Sequence, residues 1–182
     1  CCPNLGTTGD GHLMGLAIGA QMDPLPAAIM NFDFGSPVSF YSTNLGITSL
    51  VAGGLMINEE GRRFCSESLP FQARSNAITA QRHYGENCWR VASSTQLGAN
   101  PEPVLKALEP FKEKGWAYEA NSLDELAKVM NVPAATLKET IARYNSCVDN
   151  KKDEDVNKPI TETTTKVEGE KYYAIKHQSS IL

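Results

Sequence analysis

No apolar run in these 182 residues approaches the ~20 positions of a membrane span. The longest candidate, Leu45 to Ile57, is broken by Gly46, Gly53 and Gly54 and carries hydroxyls. Nothing at the start has the pattern of a secretory signal. The chain opens on Cys1 and Cys2 without a methionine, which reads as an excised piece or a processed product. Both a cytoplasmic and an exported location for that parent therefore stay open. Positive charge is not in excess: the formal net charge is -4, so nothing favours nucleic acid or anionic membranes as partners. Five cysteines make an odd number. None forms a CxxC pair and no histidine lies at zinc-like spacing, so no metal site is expected. The thiols read as reduced and buried or incidental rather than as a disulfide framework. His12, His83 and His177 are scattered, and no catalytic role is assigned to them.

What is present is ordinary globular composition, with 41% hydrophobic and 21% charged residues. Such a length buries a real core without staples. Three zones differ in texture. Gly6-Thr-Thr-Gly-Asp-Gly11 is a glycine-rich turn, followed by a helical stretch from Leu13 to Met22. Leu13, Leu16, Ala17 and Ala20 form its apolar stripe, and Asp10 suits the helix start. In the second zone Ala27 to Phe34 and Leu55 to Asn58 read as strands. Glu59-Glu-Gly61 has hairpin chemistry, with Gly61 supplying a positive φ and Arg62 to Ser66 returning as a strand. Phe71 to His83 reads as a helix and Cys88 to Ala92 as a short strand.

In the third zone a short helix from Pro103 to Leu108 is limited by Pro110. Trp116 to Ala120 reads as a strand. Ser122-Leu-Asp-Glu125 is a capping box, leading into a face of Leu123, Leu126, Ala127 and Met130. Pro133 opens a second helix with the stripe Leu137, Ile141, Tyr144 and Val148, completing an αα-hairpin. Lys151 to Lys158 reads as a charged loop and Lys171 to Lys176 as a strand. The fold class is α+β: a small mixed or antiparallel sheet with flanking helices.

Four pieces, in order, carry a resemblance. They are Thr8-Gly-Asp-Gly11 with its small-residue helix, Leu55-Met-Ile-Asn-Glu-Glu-Gly-Arg-Arg-Phe64 with Glu67, Ser122-Leu-Asp-Glu-Leu-Ala127 through Tyr144-Asn145, and Tyr172-Tyr-Ala-Ile175. Together they resemble the FAD-dependent fumarate reductase/succinate dehydrogenase flavoproteins, with urocanate reductases and ketosteroid dehydrogenases among the relatives. The resemblance implies a capping domain inserted in a Rossmann-type FAD-binding domain. Residues 1–23 would then be a remnant of the FAD-binding domain. Residues 24–170 would be the substrate-covering cap, and 171–182 the strand returning to the FAD-binding domain. The dinucleotide turn G-x-G-x-x-G is absent here.

The same resemblance implies that Thr8, Gly9, Asp10 and Gly11 touch FAD in the intact protein. Glycine permits close backbone approach, helix-start amides favour an anion, and a carboxylate accepts from ribose or ribityl hydroxyls. Ordinary helix capping is the alternative reading of that turn. Relatives that reduce fumarate carry a catalytic arginine shortly after the hairpin, with a helper Glu and Arg upstream. Here Phe71 falls at the arginine position and Ile47 and Leu50 at the helper positions. Phenylalanine neither donates a proton nor binds a carboxylate, so the usual fumarate chemistry is not expected. Arg74, one turn on, and Tyr41 are the weak catalytic candidates; a surface arginine and a core tyrosine are the plainer readings. Phe40, Tyr41 and Phe71 suit a pocket for an aromatic or apolar substrate. Arg63 and Glu67 are expected to pair structurally.

The expected parent binds FAD and a small-molecule substrate and moves a hydride to or from an activated carbon–carbon double bond. The rival is a stand-alone binding or structural module without flavin. An enzyme whose flavin site has decayed is a third possibility.

Overall fold

The computed structural model describes residues 10–21, 53–81 and 87–177. The expected strand Ala27 to Phe34, with Phe40, Tyr41, Ile47 and Leu50, lies outside the described residues, as do Thr8 and Gly9. In chain order the elements are α1 (Asp10–Ala17), β1 (Leu55–Ile57), α2 (Phe71–Gln81) and β2 (Cys88–Ser93). There follow α3 (Glu102–Glu113), β3 (Ala117–Ala120), α4 (Leu123–Met130), α5 (Ala134–Asp149) and β4 (Tyr172–His177).

The four strands form one sheet in the order β1-β2-β4-β3, antiparallel throughout. The architecture is α+β, as the patterning implies. β4 is central, hydrogen-bonded to β2 on one side and β3 on the other. All six residues of β2 are buried, because helices cover both faces of the sheet. One face carries Leu55, Ile57, Trp89, Val91 and Ala174 against Leu126, Met130, Leu137, Ile141 and Tyr144 of the αα-hairpin. The other carries Ala92, Tyr173 and Ile175 against Val104, Leu108 and Phe111 of α3, and Met56 and Cys88 against Ile78 of α2.

Local chemistry accounts for the element ends. Ser122 Oγ accepts from the Glu125 amide at 3.2 Å, while the Glu125 carboxylate reaches Asn121 N at 2.9 Å, one residue earlier than in a regular capping box. Asn131 closes α4 in the left-handed region at φ 57, and Pro133 leads into α5. α3 differs from expectation: it runs to Glu113 with Pro110 inside. The lost backbone bond is outweighed by burial of Phe111, which joins the face of Val104, Ala107 and Leu108 only if the helix continues past Pro110. α1 also differs. It ends at Ala17, and no residue of it is buried; Leu13, Met14 and Ile18 are exposed.

The return from the hairpin is shorter than a strand. Only an Ile57–Arg63 bridge forms. Asn58 N to Arg62 O and Phe64 N to Met56 O close that bridge, and beyond it Met56 N donates instead to the Glu67 carboxylate at 3.1 Å. A buried carboxylate thus takes the place of a ladder partner.

Candidate functional site

The hairpin between β1 and α2 is a densely hydrogen-bonded polar construction. Asn58 Oδ1 accepts from Glu60 N and Arg62 N, shaping the turn, and Gly61 follows at φ 77. Thr140 of α5 donates to Gly61 O at 2.8 Å, which pins the tip against the αα-hairpin.

At the base, Arg63 forms a bidentate pair with Glu67, Nε to Oε1 at 2.9 Å and Nη2 to Oε2 at 2.7 Å. Its third donor, Nη1, reaches Asp153 Oδ2 at 2.6 Å. Lys158 Nζ lies 3.2 Å from Glu67 Oε2. The Arg63, Glu67 and Asp153 side chains are 4%, 1% and 0% exposed, so this is a buried network rather than a surface pair. The Tyr144 ring contacts both the Arg63 guanidinium and the Lys158 ammonium.

Burial alone would raise the Glu67 pKa. The hydrogen bonds and charge of Arg63, then Lys158 and the Met56 amide, outweigh burial and hold it down to about 2. Burial pushes the Tyr144 hydroxyl up to about 12. The Cys65 thiol is also pushed up to about 12, by burial and then by the Glu67 charge, which leaves it inert.

The expected Arg63–Glu67 pair is therefore present, with two partners that the sequence did not disclose. Asp153 and Lys158 come from the segment read only as a charged loop, and Asp153 lies 90 positions from Arg63. Arg74 is not the surface arginine of the plainer reading. It is 8% exposed, and its Nη1 donates to Glu67 O at 2.7 Å, tying the first turns of α2 to the hairpin base. Phe71 begins that helix. Two more basic groups lie buried near it. His177 is fully buried, and its pKa is lowered to about 3 by burial and then by the Arg90 and Arg74 charges. Arg90 sits in β2. Neither had a periodicity or motif to single it out.

Asp10 and Gly11 begin α1 and are exposed; a Cβ on Gly11 would meet nothing within 4 Å. An open helix start of this kind suits a cofactor phosphate or hydroxyl approaching from another part of a protein. Cys147, Asp153 and Asp155 bring ligand atoms within 4.8 Å of one another, but their carboxylates are committed to Arg63 and Arg143. We assign no metal role to them. Cys65, Cys88 and Cys147 are buried thiols outside any disulfide among the described residues. Among the described residues no helix is long and apolar enough to cross a membrane.

Residues 1–181 match the family described as FAD binding domain, and the chain belongs to that family of FAD-dependent reductases and dehydrogenases. One relative is the Fumarate reductase (cytochrome) of Shewanella frigidimarina, 32% identical over 107 residues, which are 59% of this chain and 18% of that protein. Among solved structures, 3-ketosteroid delta1-dehydrogenase from Sterolibacterium denitrificans matches 99% of this chain and 36% of its own, with TM-score 0.78 and 18% identity. A fumarate reductase flavoprotein subunit from Lactobacillus plantarum, solved by NMR, matches 87% of this chain and 98% of its own, with TM-score 0.57 and 18% identity. The chain spans about a fifth of the first of these proteins and about a third of the second.

Proposed function

We propose that this chain is the substrate-covering cap of a larger FAD-dependent oxidoreductase that reduces or forms an activated carbon–carbon double bond. The observation that carries the reading is family membership over the full length, in a chain that spans only a fraction of its enzymatic relatives. Residues 1–23 belong on this reading to the FAD-binding domain, and 24–170 form the cap. Residues 171–182 lead back to the FAD-binding domain, and β4 within them is an inner strand paired with β2 and β3 of the cap. The exposed apolar side of α1 then packs against the FAD-binding domain of the same protein.

FAD, when bound, supplies the hydride chemistry at its flavin ring. Thr8, Gly9, Asp10 and Gly11 are the residues assigned to hold it, through backbone amides and the Asp10 carboxylate. The cap covers the substrate and excludes water. The buried Arg63–Glu67–Asp153 network, with Arg74 bonded to the Glu67 carbonyl, gives the start of α2 a rigid base. Phe71 in place of a proton-donating arginine argues for an apolar activated alkene rather than fumarate. Arg74 and Tyr41 are the candidates for the proton donor.

The test is a visible absorption spectrum of the protein expressed with its native flanking sequence, beside this chain incubated with FAD and desalted. A yellow long form beside a colourless short one is expected. If neither retains flavin, the oxidoreductase reading fails.

A further inference from the structure

Arg90 stands in β2 with Met56 as its register partner on one side and Ile175 on the other. Its face of the sheet is the one that carries Met56 and Cys88 against Ile78 of α2. The side chain is 1% exposed, and Nε and Nη1 are buried with no hydrogen-bond partner. Its stem lies over Gly54, where a Cβ would come within 3.1 Å of Arg90 Cγ and 2.9 Å of Val91 O. Glycine at 54 therefore leaves room for an arginine that the packing alone does not require.

The surroundings do not neutralise it. Glu67 supplies the largest favourable charge, but its oxygens already accept from Met56 N, Arg63 and Lys158. Arg74 faces the same region as a second cation, with neutral Cys65 and His177 beside it. Around this cluster the described residues set Arg63, Arg74, Arg90 and Lys158 against Glu67 and Asp153 alone. Burial lowers the Arg90 pKa, but only to about 10, so the group stays cationic at neutral pH. A buried guanidinium with unmet donors is strongly unfavourable, and in a native protein it calls for a partner to its charge, a bound anion among them. The donor chemistry fits a carboxylate.

We propose that Arg90 is an anion-binding residue whose ligand is a carboxylate, received on the sheet face beneath α2. The proposal does not depend on the flavin reading. The carboxylate belongs either to a small acid admitted when α2 lifts or to an acidic side chain of the longer protein.

Acetate is the probe, titrated into the 15N-labelled chain against sodium chloride at matched ionic strength. The Arg90 Nε–H resonance is identified by its loss in Arg90→Met. A small-acid site gives a saturable shift that chloride does not reproduce. Arg90→Met then weakens acetate binding roughly tenfold or more, the scale of one charged hydrogen bond, and Arg90→Lys weakens it less. Arg90→Lys also serves if Arg90→Met fails to fold. A side-chain carboxylate instead leaves the short chain unresponsive. The resonance of the longer protein is then already at a hydrogen-bonded position and indifferent to acetate. Equal acetate binding by the parent chain and Arg90→Met overturns the proposal. So does an unresponsive short chain together with an unbonded signal in the longer one.

Discussion

Replacing Arg63 by methionine should destabilise this domain more than almost any other single change outside its apolar core. The substitution keeps most of the side chain's length and removes the guanidinium. Glu67, 1% exposed, retains only Lys158 at 3.2 Å and the Met56 amide. Asp153, 0% exposed, retains only the Asp155 and Val156 amides. Removing one partner of a buried ionic network costs about 3–5 kcal/mol. That is a large part of the ~5–15 kcal/mol that holds a typical domain folded, and it lowers Tm by about 10 °C at this chain length. The pH dependence identifies the cause. With Arg63 present, the folded-state pKa of Glu67 lies near 2 against an ordinary 4.5, so its contribution is complete above 4.5 and is lost as the pH falls toward 2. Without Arg63, burial dominates and the folded-state value rises above 4.5. Protonation then relieves the variant while it weakens the parent, and the gap between them narrows with acid. Urea denaturation followed by circular dichroism at pH 7 and pH 4 measures both. A gap under about 1 kcal/mol at pH 7, or an equal gap at the two pH values, refutes the reasoning.

Gly61→Ala should cost about 2 kcal/mol in a thermal melt. Its φ is 77, and the added Cβ would sit 3.1 Å from Leu137 N and 3.3 Å from Pro133 O, backbone atoms that do not swing aside; a change below about 0.5 kcal/mol contradicts the close approach. Acid should weaken the fold through His177 before it does so through Glu67. His177 is held neutral, with its pKa lowered from 6.5 to about 3, so its contribution is complete above pH 6.5 and declines as the pH falls toward 3. About 2–3 kcal/mol should be gone by pH 4.5, and His177→Gln should flatten that part of the stability curve.

The Glu59-Glu-Gly61 turn, the Ser122 cap and the Leu126–Met130 and Leu137–Tyr144 stripes were legible because each is written in neighbouring residues. A cap, a positive φ and a helical period need only a few positions of context. The Arg63–Glu67 pair was legible for the same reason, being four residues apart. Pro110 misled because a local rule predicts a stop, whereas the buried side of α3 decides that the helix continues. Arg62 to Ser66 misled in the opposite sense: the strand pattern is there, but Glu67 takes over the edge of β1.

Sequence alone determined the family, the α+β class and the αα-hairpin, since motif order and periodicity are properties of the chain itself. Only the tertiary structure decided that β4 lies at the centre of the sheet, that Asp153 and Lys158 join Arg63 and Glu67, and that Arg74, Arg90 and His177 converge on one buried region. Those relations join positions tens of residues apart. What makes them consequential is the removal of water from around charges, which no local pattern records until the chain has packed.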